Sequence, residues 1–125
     1  MNIKIISYND LNASFQTVSG SFTVTGASSY GSITIKYKDV GSTTIIFLNV
    51  DAVTLSANTF MNIKSNTIET LVQKLLTKVG LSSTSNVAFF GSAYVTFFCL
   101  QHNNGFVINS AGAITNHYIS GIIVA

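Results

Sequence analysis

Tyr94-Val-Thr-Phe-Phe-Cys-Leu100, the turn former Asn103-Asn104-Gly105 and Phe106-Val-Ile108 form the stretch that decides the fold. The two apolar runs are rich in aromatic and β-branched residues, which favour strands, and the Asn-Asn-Gly between them can supply the positive φ angles of a tight hairpin. A second break at Ser110-Ala111-Gly112 leads into Ala113 to His117 and then Ile119-Ser-Gly-Ile-Ile-Val124. Residues 94–124 therefore predict three strands joined by two turns, with the last strand closing a sheet.

Upstream, the same period of two recurs. Phe22 and Val24 alternate with Ser21, Thr23 and Thr25, so that residues 14–25 predict one half-buried strand, with a bulge allowed at Gly20. Gly26 to Gly31 is a small polar loop carrying one aromatic residue, Tyr30. Ile33, Ile35 and Tyr37 alternate with Thr34, Lys36 and Lys38, and Asp39-Val40-Gly41-Ser42 turns the chain back through Thr43 to Val50. In that returning arm Ile45, Ile46, Phe47 and Leu48 are consecutive. Both faces of the strand are thus apolar, and the face turned from the core needs a second cover from this chain or from a neighbouring subunit. Val95 to Leu100 has the same two-faced character. Val53-Thr-Leu55 and Thr59-Phe-Met-Asn-Ile63 read as two further strands around a short loop, and Val87-Ala-Phe-Phe90 as another.

Between them the period changes. Ile68, Leu71, Val72, Leu75, Leu76 and Val79 fall on one side of a helix, opposite Glu69, Gln73, Lys74, Thr77 and Lys78. The helix is predicted over about 67–79, with Asn66 as its cap and Gly80 as its left-handed terminator. Short strands at intervals near ten residues with one helix among them predict a mainly β fold, an antiparallel β-sandwich or jelly roll with one inserted α-helix. Residues 1–18 read as an N-terminal strand or the remnant of a stalk or linker, and residues 19–125 as the sandwich domain.

Composition narrows the function. Of the 125 residues 47% are hydrophobic and only 8% charged, with no Pro and no Trp, against roughly 25% charged in ordinary domains. Hydroxyls and amides must solvate such a surface, or an assembly must hide part of it, so self-association is expected. The six scattered Lys residues do not form a nucleic-acid footprint. No apolar run reaches the ~18 residues of a membrane helix. Met1-Asn-Ile-Lys-Ile-Ile6 is too short for a signal peptide. Cys99 is a single thiol inside an apolar strand, suited to packing. Asp10, Asp39, Asp51 and Glu69 are the only acids; the three Asp residues stand beside turns, where they serve as local caps, and Glu69 faces out of the helix. No carboxylate pair, nucleophile elbow, phosphate loop or clustered metal ligands are present in the sequence, so neither an enzyme, a cofactor nor a metal site is expected.

The runs Gly20-Ser-Phe-Thr-Val-Thr-Gly26, Ile33 to Val50, Val53-Thr-Leu-Ser-Ala-Asn-Thr-Phe-Met-Asn-Ile63 and Gly105-Phe-Val-Ile-Asn-Ser-Ala-Gly-Ala-Ile114, with Ile119-Ser-Gly-Ile-Ile123, come in an order that resembles the C-terminal head domains of bacteriophage tail fibres and receptor-binding proteins. The resemblance covers residues 20–124. It implies a sandwich or jelly-roll head that forms a homotrimer at a fibre tip on the virion and adsorbs it to a host-surface glycan or protein. One departure is clear: where such heads place a Pro- and Gly-containing segment after the aromatic turn, this chain has a helix. Under that reading the ligand-binding candidates are loop residues with hydrogen-bonding or aromatic chemistry, namely Tyr30, His102, Asn103, Asn104, His117 and Tyr118. The alternatives are a structural trimerisation or capping domain with no outside ligand, and a host-side lectin or cytokine-like trimer.

Overall fold

The hairpin at the centre of the chain sets the first sheet. In a computed structural model that describes residues 15–18, 22–81, 86–91, 95–100 and 105–125, β3 (Ser32–Val40) and β4 (Thr43–Leu55) pair along their length, from Ser32 opposite Asp51 to Val40 opposite Thr43. The two-residue turn between them uses Gly41 at φ 62°, which glycine reaches at little steric cost. A short β1 (Gln16–Thr17) flanks β3, and the last strand, β9 (Ile114–Val124), flanks β4, giving one four-stranded antiparallel sheet in the order β1-β3-β4-β9.

The second sheet is built from β2 (Thr23–Thr25), β5 (Thr59–Lys64), β6 (Asn86–Gly91), β7 (Val95–Leu100) and β8 (Gly105–Ser110), in the order β2-β5-β8-β7-β6. β7 and β8 form the expected hairpin, with Leu100 opposite Gly105; residues 101–104 and Tyr94 lie outside the described residues. The break at 111–113 is where the chain leaves the second sheet for the first.

Among the described residues the fold is therefore an antiparallel β-sandwich with one helix. Its core joins Ile35, Ile46, Leu48, Val50, Val53 and Leu55 of the first sheet to Met61, Ile63, Phe106 and Ile108 of the second. The helix α1 (Asn66–Lys78) contributes Ile68, Leu71, Val72, Leu75 and Leu76 to the same cluster, so its apolar face is spent on its own domain. Asp39 ties the helix to the first hairpin, since its carboxylate accepts bonds from Lys74 Nζ and from Thr44 Oγ1, both at 2.7 Å. Lys78 Nζ donates to the carbonyls of Ser42 and Ala125 beyond the helix C-terminus, the end that favours a cation.

The structure departs from the sequence pattern in three places. Residues 14–25 do not make one strand: β1 pairs with β3, and β2 pairs with β5 in the other sheet. The alternation persists because Val18, buried, and Val24, partly buried, both turn toward the one shared core. The stretch 43–55 is one strand although its pattern suggests two runs, whereas 114–124 is the single closing strand expected. The helix cap is Ser65, whose Oγ accepts from the Ile68 amide at 3.1 Å, and not Asn66. Two good capping residues are adjacent here, and Ser65 is the one whose hydroxyl meets the amide three residues on.

Gly26 is the tightest point of the link from β2 to β3. Its φ is +96°, and a Cβ there would sit 1.7 Å from the Phe60 carbonyl oxygen. We predict that Gly26→Ala lowers unfolding free energy by about 3 kcal/mol or more, because both backbone strain and a backbone clash must be relieved; urea denaturation checks it.

Candidate binding face

The first sheet has an inner face in the core and an outer face over which no other described element lies. Pairing places Ser32 beside Asp51, Thr34 beside Asn49, Lys36 beside Phe47 and Lys38 beside Ile45. β9 continues these rows with Ser120 beside Asn49, Ile122 beside Phe47 and Val124 beside Ile45. The face is therefore graded, hydroxyl and amide at one end and aliphatic and aromatic at the other.

The apolar end is formed by Phe15, Ile45, Phe47, Ile122 and Val124. A shallow depression there is lined by Phe15, Lys36, Ile45, Phe47 and Ile122, and Lys38 Nζ lies 6.0 Å from the Phe15 ring centroid. Phe47 is 38% exposed, Ile122 62% and Val124 65%. Among the described residues no element of the chain lies over this end. The side chains of Val95 to Leu100 beyond Thr96, for which the same two-faced character is expected, lie outside those described.

The polar end owes its geometry to a pair of bulges. Register shifts separate Val50 from Val53 and Val53 from Leu55 along the β4–β9 ladder, and Ala52 (φ 54°) and Asn116 (φ 49°) both occupy the left-handed region. For alanine that conformation costs roughly 1–2 kcal/mol, so the surrounding pairing must hold it. Asn116 N donates to Thr54 Oγ1 at 3.2 Å across the same irregularity. The loop 26–31 is stitched to this place by Ser28 N to Thr54 O (3.0 Å), Thr54 N to Ser29 O (2.9 Å) and Gly31 N to Asp51 O (2.7 Å). Bulges re-aim the side chains around them, and the backbone pairing here puts the positions of Tyr30, Asp51, His117 and Tyr118 at the same end of the sheet. Tyr30 is 45% exposed and Tyr118 72%.

Asp51 is the polar centre of this end. Ser32 Oγ donates to its Oδ2 and Asn49 Nδ2 to its Oδ1, each at 2.8 Å. The Ser32 hydroxyl first, then the Asn49 amide, hold the carboxyl below the ordinary aspartate value of 3.8, against a smaller opposing effect of desolvation. Each carboxylate oxygen keeps an acceptor position beyond the bond it receives from the protein. The expectation that Asp51 serves a turn is corrected: it lies inside β4, and the interruption beside it is a bulge.

Three of the six sequence-derived candidates, Tyr30, His117 and Tyr118, come together at this end. His102, Asn103 and Asn104 lie outside the described residues. Their flanking residue Gly105 packs against Ile63 and Lys64, whereas Gly26 packs against Phe60, at the other end of β5. Ser32, Asn49 and Asp51 carry no signal in the sequence that marks them as ligand groups. No three His, Cys, Asp or Glu side chains converge among the described residues, and no described helix is long and apolar enough to cross a membrane.

Comparison of the chain with protein-family models, with curated proteins and with solved structures found no match.

Asp39 is also held below 3.8, chiefly by its bond to Lys74 and then by Thr44. A carboxylate whose folded pKa is depressed stabilises the fold above its unfolded value and loses that contribution as pH falls through the folded one. We predict a melting temperature that is flat from neutrality to about pH 5 and falls progressively below it. The double variant Asp39→Asn, Asp51→Asn should show a shallower acid decline in calorimetry across that range.

Proposed function

We propose that this protein is a binding head of the fibre-tip kind, which holds a host-surface saccharide at the bulged end of its first sheet and so adsorbs a phage particle to its host. The observation that carries the reading is the position of two exposed tyrosines along the backbone beside the Ser32–Asn49–Asp51 cluster: Tyr30 precedes Gly31, whose amide donates to the Asp51 carbonyl, and Tyr118 precedes Ile119, the partner of Val50. Sugars present vicinal hydroxyls, which donate well to a carboxylate and an amide oxygen, and C–H faces, which lie well on aromatic rings. A rigid sheet with strained bulges keeps these groups in place before the ligand arrives, which lowers the ordering cost of binding. The resemblance of residues 20–124 to fibre head domains supplies the biological setting of the proposal, including a location on the virion and a threefold assembly.

Among the described residues the polar end offers Asp51 as its one carboxylate, so the proposed chemistry is retention without bond cleavage, which takes two positioned acids. A second reading, a capping domain that registers fibre chains and holds no outside ligand, is favoured by the apolar half of the same face.

The test is an array of bacterial surface saccharides probed with the wild-type chain, Tyr30→Ala and Asp51→Asn. At least one saccharide class should be retained by the wild type and weakened about tenfold or more in each variant, the loss of roughly 1.4 kcal/mol expected when one charge-assisted contact goes. A wild-type chain that retains nothing, or retention unchanged in both variants, would reject the site.

A further inference from the structure

β9 is the longest open strand edge among the described residues. Among those residues it ends the first sheet and is paired with β4 alone. Unpaired strand edges are normally kept short, charged, interrupted by Pro or bulged, because a free row of N–H and C=O groups recruits another strand. The other edges follow that rule: β1 has two residues and β2 three, and β6 carries a register irregularity between Ala88 and Phe90. β9 does not. It runs for 11 residues, ITNHYISGIIV, without a charge or a Pro, and the irregular pairing at Asn116 affects only its first part. From Ile119 onward its pairing with β4 is regular, and from Tyr118 to the end the strand bears three exposed large hydrophobic side chains, Tyr118, Ile122 and Val124.

We propose that this edge pairs with the same edge of a second copy of the chain, antiparallel and about a two-fold axis at Ser120, joining two first sheets into one of eight strands. The register follows from the side chains. With Ser120 opposite its own symmetry mate, Tyr118 of each copy stands opposite Ile122 of the other, on the outer face. The two large residues thus cover one another twice, as aromatic and β-branched cross-strand pairs that favour a sheet. The isologous arrangement makes every contact in duplicate.

Charge favours a second copy over a charged partner strand. β9 meets β9 as neutral against neutral. The nearest outer-face lysine, Lys36, lies on β3, two strands in from the edge, so the two symmetry-related lysines stand five strand spacings apart, about 24 Å. That separation is well beyond the Debye length of about 8 Å at physiological ionic strength. The pairing also makes the two apolar depressions and the two polar ends parts of one continuous face. Tyr118 is propped at its edge by the partner's aliphatic side chain, leaving its ring face open. Pairing through β9 does not depend on the saccharide reading. A threefold assembly would have to use a different surface.

Two variants test it, each made with Cys99→Ser so that the introduced thiol is the only one. Ser120→Cys should form a covalent dimer under mild oxidation much faster than Thr115→Cys, which is exposed on the same strand but outside the paired run. Ser120→Lys should place two ammonium groups face to face on the axis and weaken pairing at least about tenfold, halving the mass seen by light scattering at micromolar concentration while the circular dichroism spectrum is retained. The proposal is overturned by a wild-type monomer, by a mass that Ser120→Lys leaves unchanged, or by equal cross-linking of the two cysteine variants.

Discussion

The structure depends on a shift of phase in two neighbouring strands. Along β4 the buried residues are Ile46, Leu48 and Val50 and then, after Ala52, Val53 and Leu55. Even positions face the core before the bulge and odd positions after it. β9 makes the matching change, with Ile123 and Ile119 inward on one side of Asn116 and Ile114 inward on the other. Because the side-chain period of a strand is two, a single extra residue moves every later side chain to the opposite face. Without the bulges, Val53, Leu55 and Ile114 would stand in water. The strained backbone at Ala52 and Asn116 is thus the condition for one core, and the burial of the β4 aliphatic side chains on both sides of Ala52 holds it.

The same shift explains which parts of the fold are legible in the sequence. The β3–β4 hairpin is legible because its alternation is unbroken and Gly41 supplies the turn. The helix is legible because a change from a period of two to 3.6 has no other simple meaning. The long strand β4 cannot be read whole. A break in alternation at Asp51-Ala52 and again near Tyr118 looks the same in sequence whether the chain leaves the sheet or bulges within it; only the partner strand distinguishes the two. Val18 and Val24 show the converse, since two strands of different sheets keep a common phase when they face a common core.

For the candidate face, single residues are legible and their placement together is not. Tyr30, His117 and Tyr118 are recognisable as chemistry-bearing residues outside the apolar rows. Ser32 and Asp51 are 19 positions apart, and only the register of the hairpin makes them neighbours. An aspartate beside a break in alternation has the local signature of a turn former, which is why Asp51 cannot be recognised as a strand residue without its partner strand. The two-faced apolar run Ile45 to Leu48 is legible in full. Its inner residues are in the core, and its outer residues Ile45 and Phe47 belong to the open face with Ile122 and Val124. Composition and structure agree here: a chain with so few charges carries exposed apolar residues on the outer face of its first sheet.

The central claim is that the bulged end of the first sheet is the working surface of this protein. Amide NMR during titration with fragments of a bacterial surface polysaccharide retained by the protein tests it most directly. Perturbed amides are expected to concentrate at residues 29–32, 49–52 and 116–120, with those of β5 and β8 unmoved. Perturbation confined to the second sheet, or to the helix, would contradict the claim.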